Sequence, residues 1–420
     1  MDVPDAIQLM GDKQWQEIKS RLTGKFNKMM KGLFRQKGAQ LDINILASDE
    51  AQDFITTHAG VLDTGFQKVE MSDKMRERLT RSNYIFSGIK TFHELNEAFP
   101  SMLDENGNKK PFERFLNDVR KINDTYNANY LHAEYNFVQA SATMAAKWEQ
   151  FSEDGDRYYL QYRTAKDDKV RPEHAALDGV TLPMSDSFWE TYFPPNGWNC
   201  RCTVVQVRKQ KYPATEHAEA MSRGEEAMNG ERYNIFRFNS GKQGKTMPDY
   251  NPYTIKRCND CDVAKGGNTK LGFVPDYQLC QGCIMIRKCN EDRNRDNSAK
   301  ATKKSPEVKK LQGTTISNPD FNHEVLVTGG SIREWTNQPH KEYAAKNSIL
   351  KHIAKVFREA KYIGFIDNFK MKPGVKQSHL FETNVLGELS WIIVREYEIG
   401  EFVLHSISDS DKIKTGIRKE

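Results

Sequence analysis

Cysteine is scarce and confined: the 420 residues hold seven, none before Cys200 and none after Cys289. A disulfide-stapled chain spreads its cysteines over the fold, so this clustering argues against a disulfide scaffold and for metal. No apolar run approaches the ~20 residues that cross a bilayer. Met1-Asp2-Val3-Pro4-Asp5 also lacks the basic and apolar regions of a secretion signal, so the expectation is a cytoplasmic chain without a membrane anchor. Charge of one sign is missing too. With 62 Lys and Arg against 57 Asp and Glu, the net charge is only +5, and any nucleic-acid footprint must be local. Hydrophobic residues make up 38%, lean for one large globule, and the length suits about two to four domains.

What is present first is helical periodicity. Trp15, Ile18, Leu22, Phe26, Met29 or Met30, and Leu33 recur at helical steps and form one apolar face. The other face is basic, with eight Lys or Arg against Asp12 and Glu17, and Gly24 and Gly32 are possible interruptions. Such a helix either lies on DNA or an acidic partner, or turns its apolar face to a core and its basic back to water. Helical patterns continue over residues 47–67 and from Ser72 to Leu79. After a turn at 104–110, Pro111 opens a long helix that runs on to Trp148. His132 and Glu134 are two apart on it, do not face each other, and read as packing or network residues.

Between Arg163 and Val207 the chain turns irregular and rich in costly residues: Arg171-Pro-Glu-His174, Asp178-Gly179, Phe188-Trp189, and Pro194-Pro195-Asn196-Gly197-Trp198-Asn199-Cys200-Arg201-Cys202. The Pro-Pro-Asn-Gly run predicts a turn, and the β-branched run from Cys200 to Val207 predicts a strand, which points both cysteines to one face and Arg201 to the other. A helical turn over 172–178 sets His174 and Asp178 on a common face. Two readings stay open. His174, Asp178, Cys200 and Cys202 are a zinc site, or the cysteines are small buried hydrophobes while His174 and Asp178 bond backbone across the loop.

This stretch, together with the preceding Tyr126-Asn-Ala-Asn-Tyr-Leu-His-Ala-Glu-Tyr-Asn136, resembles the head-morphogenesis domain of the phage Mu protein F family over roughly residues 80–210. That family comprises minor head proteins of tailed bacteriophages. The resemblance implies phage portal and capsid proteins as partners, and a location inside the virion and in the bacterial host cytoplasm.

Downstream, Cys258-Asn-Asp-Cys261 and Cys280-Gln-Gly-Cys283 have the spacing of a structural zinc site built from two knuckles, with Cys289 spare. So short and polar a segment depends on metal for its stability. Residues 211–253 read as irregular surface or a connector, and 291–310 as a linker or a solvated helix. In the last unit a helix is expected to start at Asn337-Gln-Pro339, with Ile349, Leu350, Ile353, Val356 and Phe357 as its stripe. Four strands follow, Tyr362–Asp367, Gln377–Asn384, Leu389–Tyr397 and Glu401–Ile407, the last two joined by a turn at Glu398-Ile-Gly400.

One helix followed by a four-strand meander, ending Val403-Leu-His405-Ser-Ile-Ser408-Asp-Ser410, resembles the phage-associated members of the metal-independent ribonuclease group uniting barnase, EndoU, colicins D and E5, and RelE. The resemblance implies RNA cleavage without a cofactor, and an immunity protein as a possible partner. Such cleavage needs a base, an acid and phosphate contacts. His379 and His405 are the candidate acid and base, with Lys346 and Ser408 on the phosphate. The alternative is a structural protein whose last domain binds DNA, portal or scaffold without cutting. A zinc enzyme centred on His174, Asp178, Cys200 and Cys202 ranks last, because no general base with a clear geometry accompanies those ligands.

The expected architecture is therefore multidomain α+β. A helical region (1–79) leads into a small mixed head-morphogenesis domain (80–210), followed by a connector (211–253), a zinc-ribbon-like module (254–290), a charged linker (291–310) and a helix plus four-stranded antiparallel sheet (311–420).

Overall fold

The computed structural model describes residues 12–38, 40–257, 280–368 and 372–418. It divides into two compact units, Met1–Asn290 and Glu291–Glu420.

Among the described residues, the first unit opens with five helices of twelve residues or more. In α1 (Asp12–Phe34) the predicted stripe from Trp15 to Leu33 is buried throughout, so the basic side is its solvated back, and neither Gly24 nor Gly32 interrupts it. Helix α2 (Asp49–Asp63) starts at Ser48, whose side chain accepts from the Ala51 N–H. Helix α3 (Asp73–Ala98) starts at Ser72, which accepts from the Met75 N–H in the same way, but it runs well beyond the predicted end at Leu79. The extension escapes periodicity because α3 buries polar residues (Asn83, Ser87, Lys90, His93 and Glu94) among its apolar ones. The expected boundary at 79/80 thus falls inside one helix. The long helix after Pro111 forms in two parts, α4 (Phe112–Asn123) and α5 (Leu131–Asp154), joined by a π-helical turn over Asp124–Asn129.

Strand β1 (Tyr159–Arg163) follows and lies between β2 (Thr181–Pro183) and β3 (Thr203–Val207), antiparallel to both. The strand predicted from Cys200 starts only at Thr203. Asn199 has a φ of 57° and the Cys200 N–H bonds to the Gly197 carbonyl, so the chain is still turning where the cysteines stand. Residues 211–253 are not a surface connector either. The predicted helical patch forms (His217–Ala227), but Tyr233, Ile235, Phe236, Phe238, Met247 and Tyr253 enter the core, and Gly241 packs directly on Trp148. Aromatic residues spaced irregularly along a polar stretch carry no period, which hid their burial.

In the second unit, residues 291–304 belong to the helix Gln281–Lys304, the solvated-helix reading of the expected linker. The sheet has six strands rather than four. β4 (Thr314–Asn318) and β5 (Phe321–Val327) precede the meander of β6 (Lys361–Asp367), β7 (Val375–Val385), β8 (Glu388–Tyr397) and β9 (Phe402–Ser408), in the order β4-β5-β9-β8-β7-β6. All pairs are antiparallel except β5 with β9, which run parallel at Leu326 and Val403. Asn337 does not start a helix; it ends Gly329–Asn337, which Thr328 opens with a capping box to Ser331. The expected stripe does face the core through Ile349, Leu350, Ile353 and Phe357, and Val356 packs at its edge.

Candidate metal centre

Three of the four residues of the first expected zinc site converge. His174 comes from the one-turn helix Pro172–Ala175, and Cys200 and Cys202 from the chain entering β3. His174 Nδ1 lies 3.6 Å from Cys200 Sγ and 3.7 Å from Cys202 Sγ, and all three donor atoms fall within 4.8 Å of one another. Cys200 and His174 are buried, and Cys202 is partly so. The alternation expected of a strand survives in the turning chain: Arg201 points away and grips Asp167 with two hydrogen bonds, at 2.6 and 2.7 Å.

Asp178 does not join them. Its Oδ1 accepts from the Thr164 N–H at 2.8 Å and its Oδ2 is 3.5 Å from Lys166, so it ties down the loop instead, as the non-metal reading expected of it. A hydrogen bond from Cys202, and then His174, pull the Cys200 thiol well below the usual range against the effect of burial, while the neighbouring Cys200 and burial push Cys202 up. Asn196, at the Pro-Pro-Asn-Gly turn, is fully buried and accepts from the Tyr162 hydroxyl at 2.8 Å, locking the loop onto β1.

Of the second expected zinc site, Cys258 and Cys261 lie outside the described residues. Cys280 and Cys283 are adjacent, with their sulfurs 3.6 Å apart.

The four residues expected to cut RNA each have separate neighbours. His379 is buried on β7; its Nε2 is 3.1 Å from Glu396 Oε2, and its Nδ1 is 3.0 Å from the Tyr362 hydroxyl. Burial would raise the Glu396 carboxyl, but Lys376, His379 and Gln377 hold it below its usual range. His405 is the extra residue where the β8–β9 register shifts, between Leu404 opposite Val394 and Ser406 opposite Ile393. Burial, aided by Arg395 and Lys372, brings its pKa down to about 4. Lys346 Nζ donates to the Trp335 and Gln338 carbonyls at 2.5 and 2.9 Å, neutralising the end of Gly329–Asn337. Burial, then Arg295, lower it to about 7. Ser408 Oγ accepts from the Ser410 N–H.

One polar cluster escaped sequence reasoning apart from Glu134, which was read as a packing or network residue. Lys90 donates to Glu134 at 2.6 Å and to the Tyr126 carbonyl at 2.7 Å, and His58 Nε2 lies 3.1 Å from its ammonium. The Tyr253 hydroxyl donates to the other Glu134 oxygen. Glu94 sits alongside, fully buried, with Oε1 lacking a hydrogen-bond partner among the described residues. Its signal was available: Lys90, His93, Glu94 and Glu97 repeat at helical spacing where an apolar stripe would be expected.

Residues 106–205, which contain His174, Cys200 and Cys202, match the family model described as Phage Mu protein F like protein, and residues 294–404 match Large polyvalent protein-associated domain 3. Over 179 residues the chain is 32% identical to the putative capsid assembly protein F of Escherichia phage Mu, covering 41% of this chain and 38% of that protein. It is also 33% identical over 102 residues to the Mu-like prophage FluMu F protein of Haemophilus influenzae, covering 24% and 22%. The chain thus spans less than two fifths of the length of these relatives. No solved structure matches it.

Proposed function

We propose that this chain acts in capsid assembly of a phage or prophage, as a minor head protein whose partners are portal and capsid proteins. The observation that carries this is the match of residues 106–205 to the Mu protein F family, across the helix, loop and strand that build the His174–Cys200–Cys202 cluster. The similarity to a capsid assembly protein of phage Mu supports the same reading. The protein then resides in the host cytoplasm during assembly and inside the capsid afterwards. The test is to purify proheads from a lysogen carrying this gene and blot for the chain. Its presence in proheads, and loss of filled heads when residues 106–205 are deleted, is expected; normal heads lacking the protein would overturn the reading.

For the C-terminal unit the better-supported reading is binding to DNA, portal or scaffold without cleavage. A ribonuclease needs a base and an acid that exchange protons near neutral pH, with free cations on the phosphate. His405 is held neutral, and the Lys346 ammonium is spent on two carbonyls. The ribonuclease reading retains His379 with Glu396, a pair that can relay a proton through Tyr362. An immunity protein belongs to that reading alone.

A further inference from the structure

We propose that His174 Nδ1, Cys200 Sγ and Cys202 Sγ bind one zinc ion as a structural centre, with a single water molecule as its fourth ligand. The inference goes beyond capsid assembly and does not depend on it.

Geometry is the first argument. Zinc bonds of about 2.3 Å to sulfur and about 2.0–2.1 Å to nitrogen, at tetrahedral angles, set a sulfur–nitrogen edge of about 3.6 Å. The observed sulfur–nitrogen edges are 3.6 and 3.7 Å, matching that value, and all three donors lie within 4.8 Å of one another. Two thiolates and an imidazole are a soft donor set that suits zinc and not magnesium, calcium or manganese.

The second argument is what else holds the ring. A buried histidine kept for packing is normally bonded at its polar atoms. His174 is 2% exposed, its Nε2 has no hydrogen-bond partner among the described residues, and its Nδ1 faces only two sulfurs. Sulfur is a weak hydrogen-bonding partner, so the ring's orientation lacks a strong tie that a metal bond supplies.

Size decides between a structural and a catalytic centre. The cavity beside the cluster, lined by Ala165, Lys169, Val170, Arg171 and Asn199, is about 20 Å³. That exceeds the ~10–15 Å³ one water needs, and is far below the ~300 Å³ of a small substrate pocket. The nearby carboxylates are also committed: Asp167 to Arg201, Asp178 to Thr164, and Glu173 to the Tyr233 hydroxyl. No carboxylate lines the cavity itself, so none stands where it could take a proton from a zinc-bound water. The metal instead clamps the Pro172–Ala175 turn to the loop that begins at Pro194, fixing the irregular stretch around β1.

The experiment uses the full chain with Cys258, Cys261, Cys280, Cys283 and Cys289 changed to Ser, so that only this cluster keeps thiols. About one zinc per chain is expected by elemental mass spectrometry, and cobalt substitution should give tetrahedral d–d bands with a thiolate charge-transfer band. Adding Cys200→Ser and Cys202→Ser should abolish both. A folded five-serine chain with no bound zinc overturns the proposal, as does iron or copper recovered in its place. If the five-serine chain fails to fold, total zinc in the natural chain is compared with that of Cys200→Ser/Cys202→Ser. A fall of about one equivalent supports the site, and an unchanged total overturns it.

Discussion

Lys90 and Glu134 meet across 2.6 Å with side chains 1% and 3% exposed, joining α3 to α5 in the interior of the first unit. Breaking a buried pair by removing one charge strands the other in a medium that solvates it poorly, at a cost of about 3–5 kcal/mol. Glu134→Gln is expected to destabilise the first unit by that order, read by hydrogen exchange of α3 and α5 amides. Lys90→Met/Glu134→Leu should cost less than the sum of the two single changes. Additive losses would mean that the two charges act independently.

The same cluster sets a pH dependence. Burial lifts Glu94 to about 8, whereas burial and Lys90 lower His58 to about 4. Burial would raise Glu134 as well, but Lys90 and His58 overcome it and bring it to about 2. From about pH 4.5 to 8 the folded state keeps a proton on Glu94 that the unfolded chain has lost, so stability falls as pH rises. Between about 4 and 6.5 the unfolded chain holds a proton on His58 that the folded state refuses, so stability rises with pH and offsets the Glu94 effect. Below about 4.5 the Glu134 contribution is lost progressively as pH falls toward 2. The contribution of these three groups is a plateau near pH 4.5–6.5, then a decline of about 1.4 kcal/mol per pH unit up to about 8, opposed by Cys200, whose lowered thiol adds stability as pH rises. The stability difference between the natural chain and Glu94→Gln, from urea unfolding across this range, should show the decline. A difference that does not change from pH 6.5 to 8 would refute a protonated Glu94.

Incubating the full chain with total RNA in EDTA at pH 7 is expected to leave the RNA intact, and His379→Ala/His405→Ala should behave identically. Cleavage by the natural chain that the double variant lacks would instead make the C-terminal unit a metal-independent ribonuclease. A cleavage optimum near pH 4 would identify His405 as the titrating group, from its lowered pKa of about 4.

Gly241 offers a purely steric test. A Cβ there would stand 2.1 Å from the Cβ of Trp148 on α5, so even Ala cannot be accommodated without shifting the Ser240–Gln243 turn. Gly241→Ala should cost about 1–3 kcal/mol. Gly24→Ala, in α1 where nothing lies within 4 Å, should stabilise by up to about 1 kcal/mol. Thermal melts of the two variants moving in the same direction would contradict the packing described.

What could be read from sequence followed the strength of local periodicity. The stripe of α1, the helical pattern of α2, the Ser72 helix start and strands β6 to β9 were all legible, because each is specified by residues within a few positions. The rest was set by partners far along the chain. β4 is mostly exposed, burying only Ile316 and Asn318, and so shows little alternation. Its partner β5 is recognised by a parallel contact with β9 that no turn announces. At the candidate metal centre, the type and spacing of His174, Cys200 and Cys202 were enough to bring them together on paper. Asp178 looked equivalent by spacing and was diverted by Thr164, a choice made by loop geometry.

The parallel seam between Leu326 and Val403 also bears on how the second unit is made. The β4–β5 hairpin leaves the ribosome early with one edge open, and the strand that closes this edge is synthesised after β6, β7 and β8. The hairpin must therefore wait, with unpaired backbone groups exposed, until the last strand of the sheet has cleared the exit tunnel. The interval before β9 emerges is when the nascent second unit is most open to chaperones and to pairing with another copy of itself.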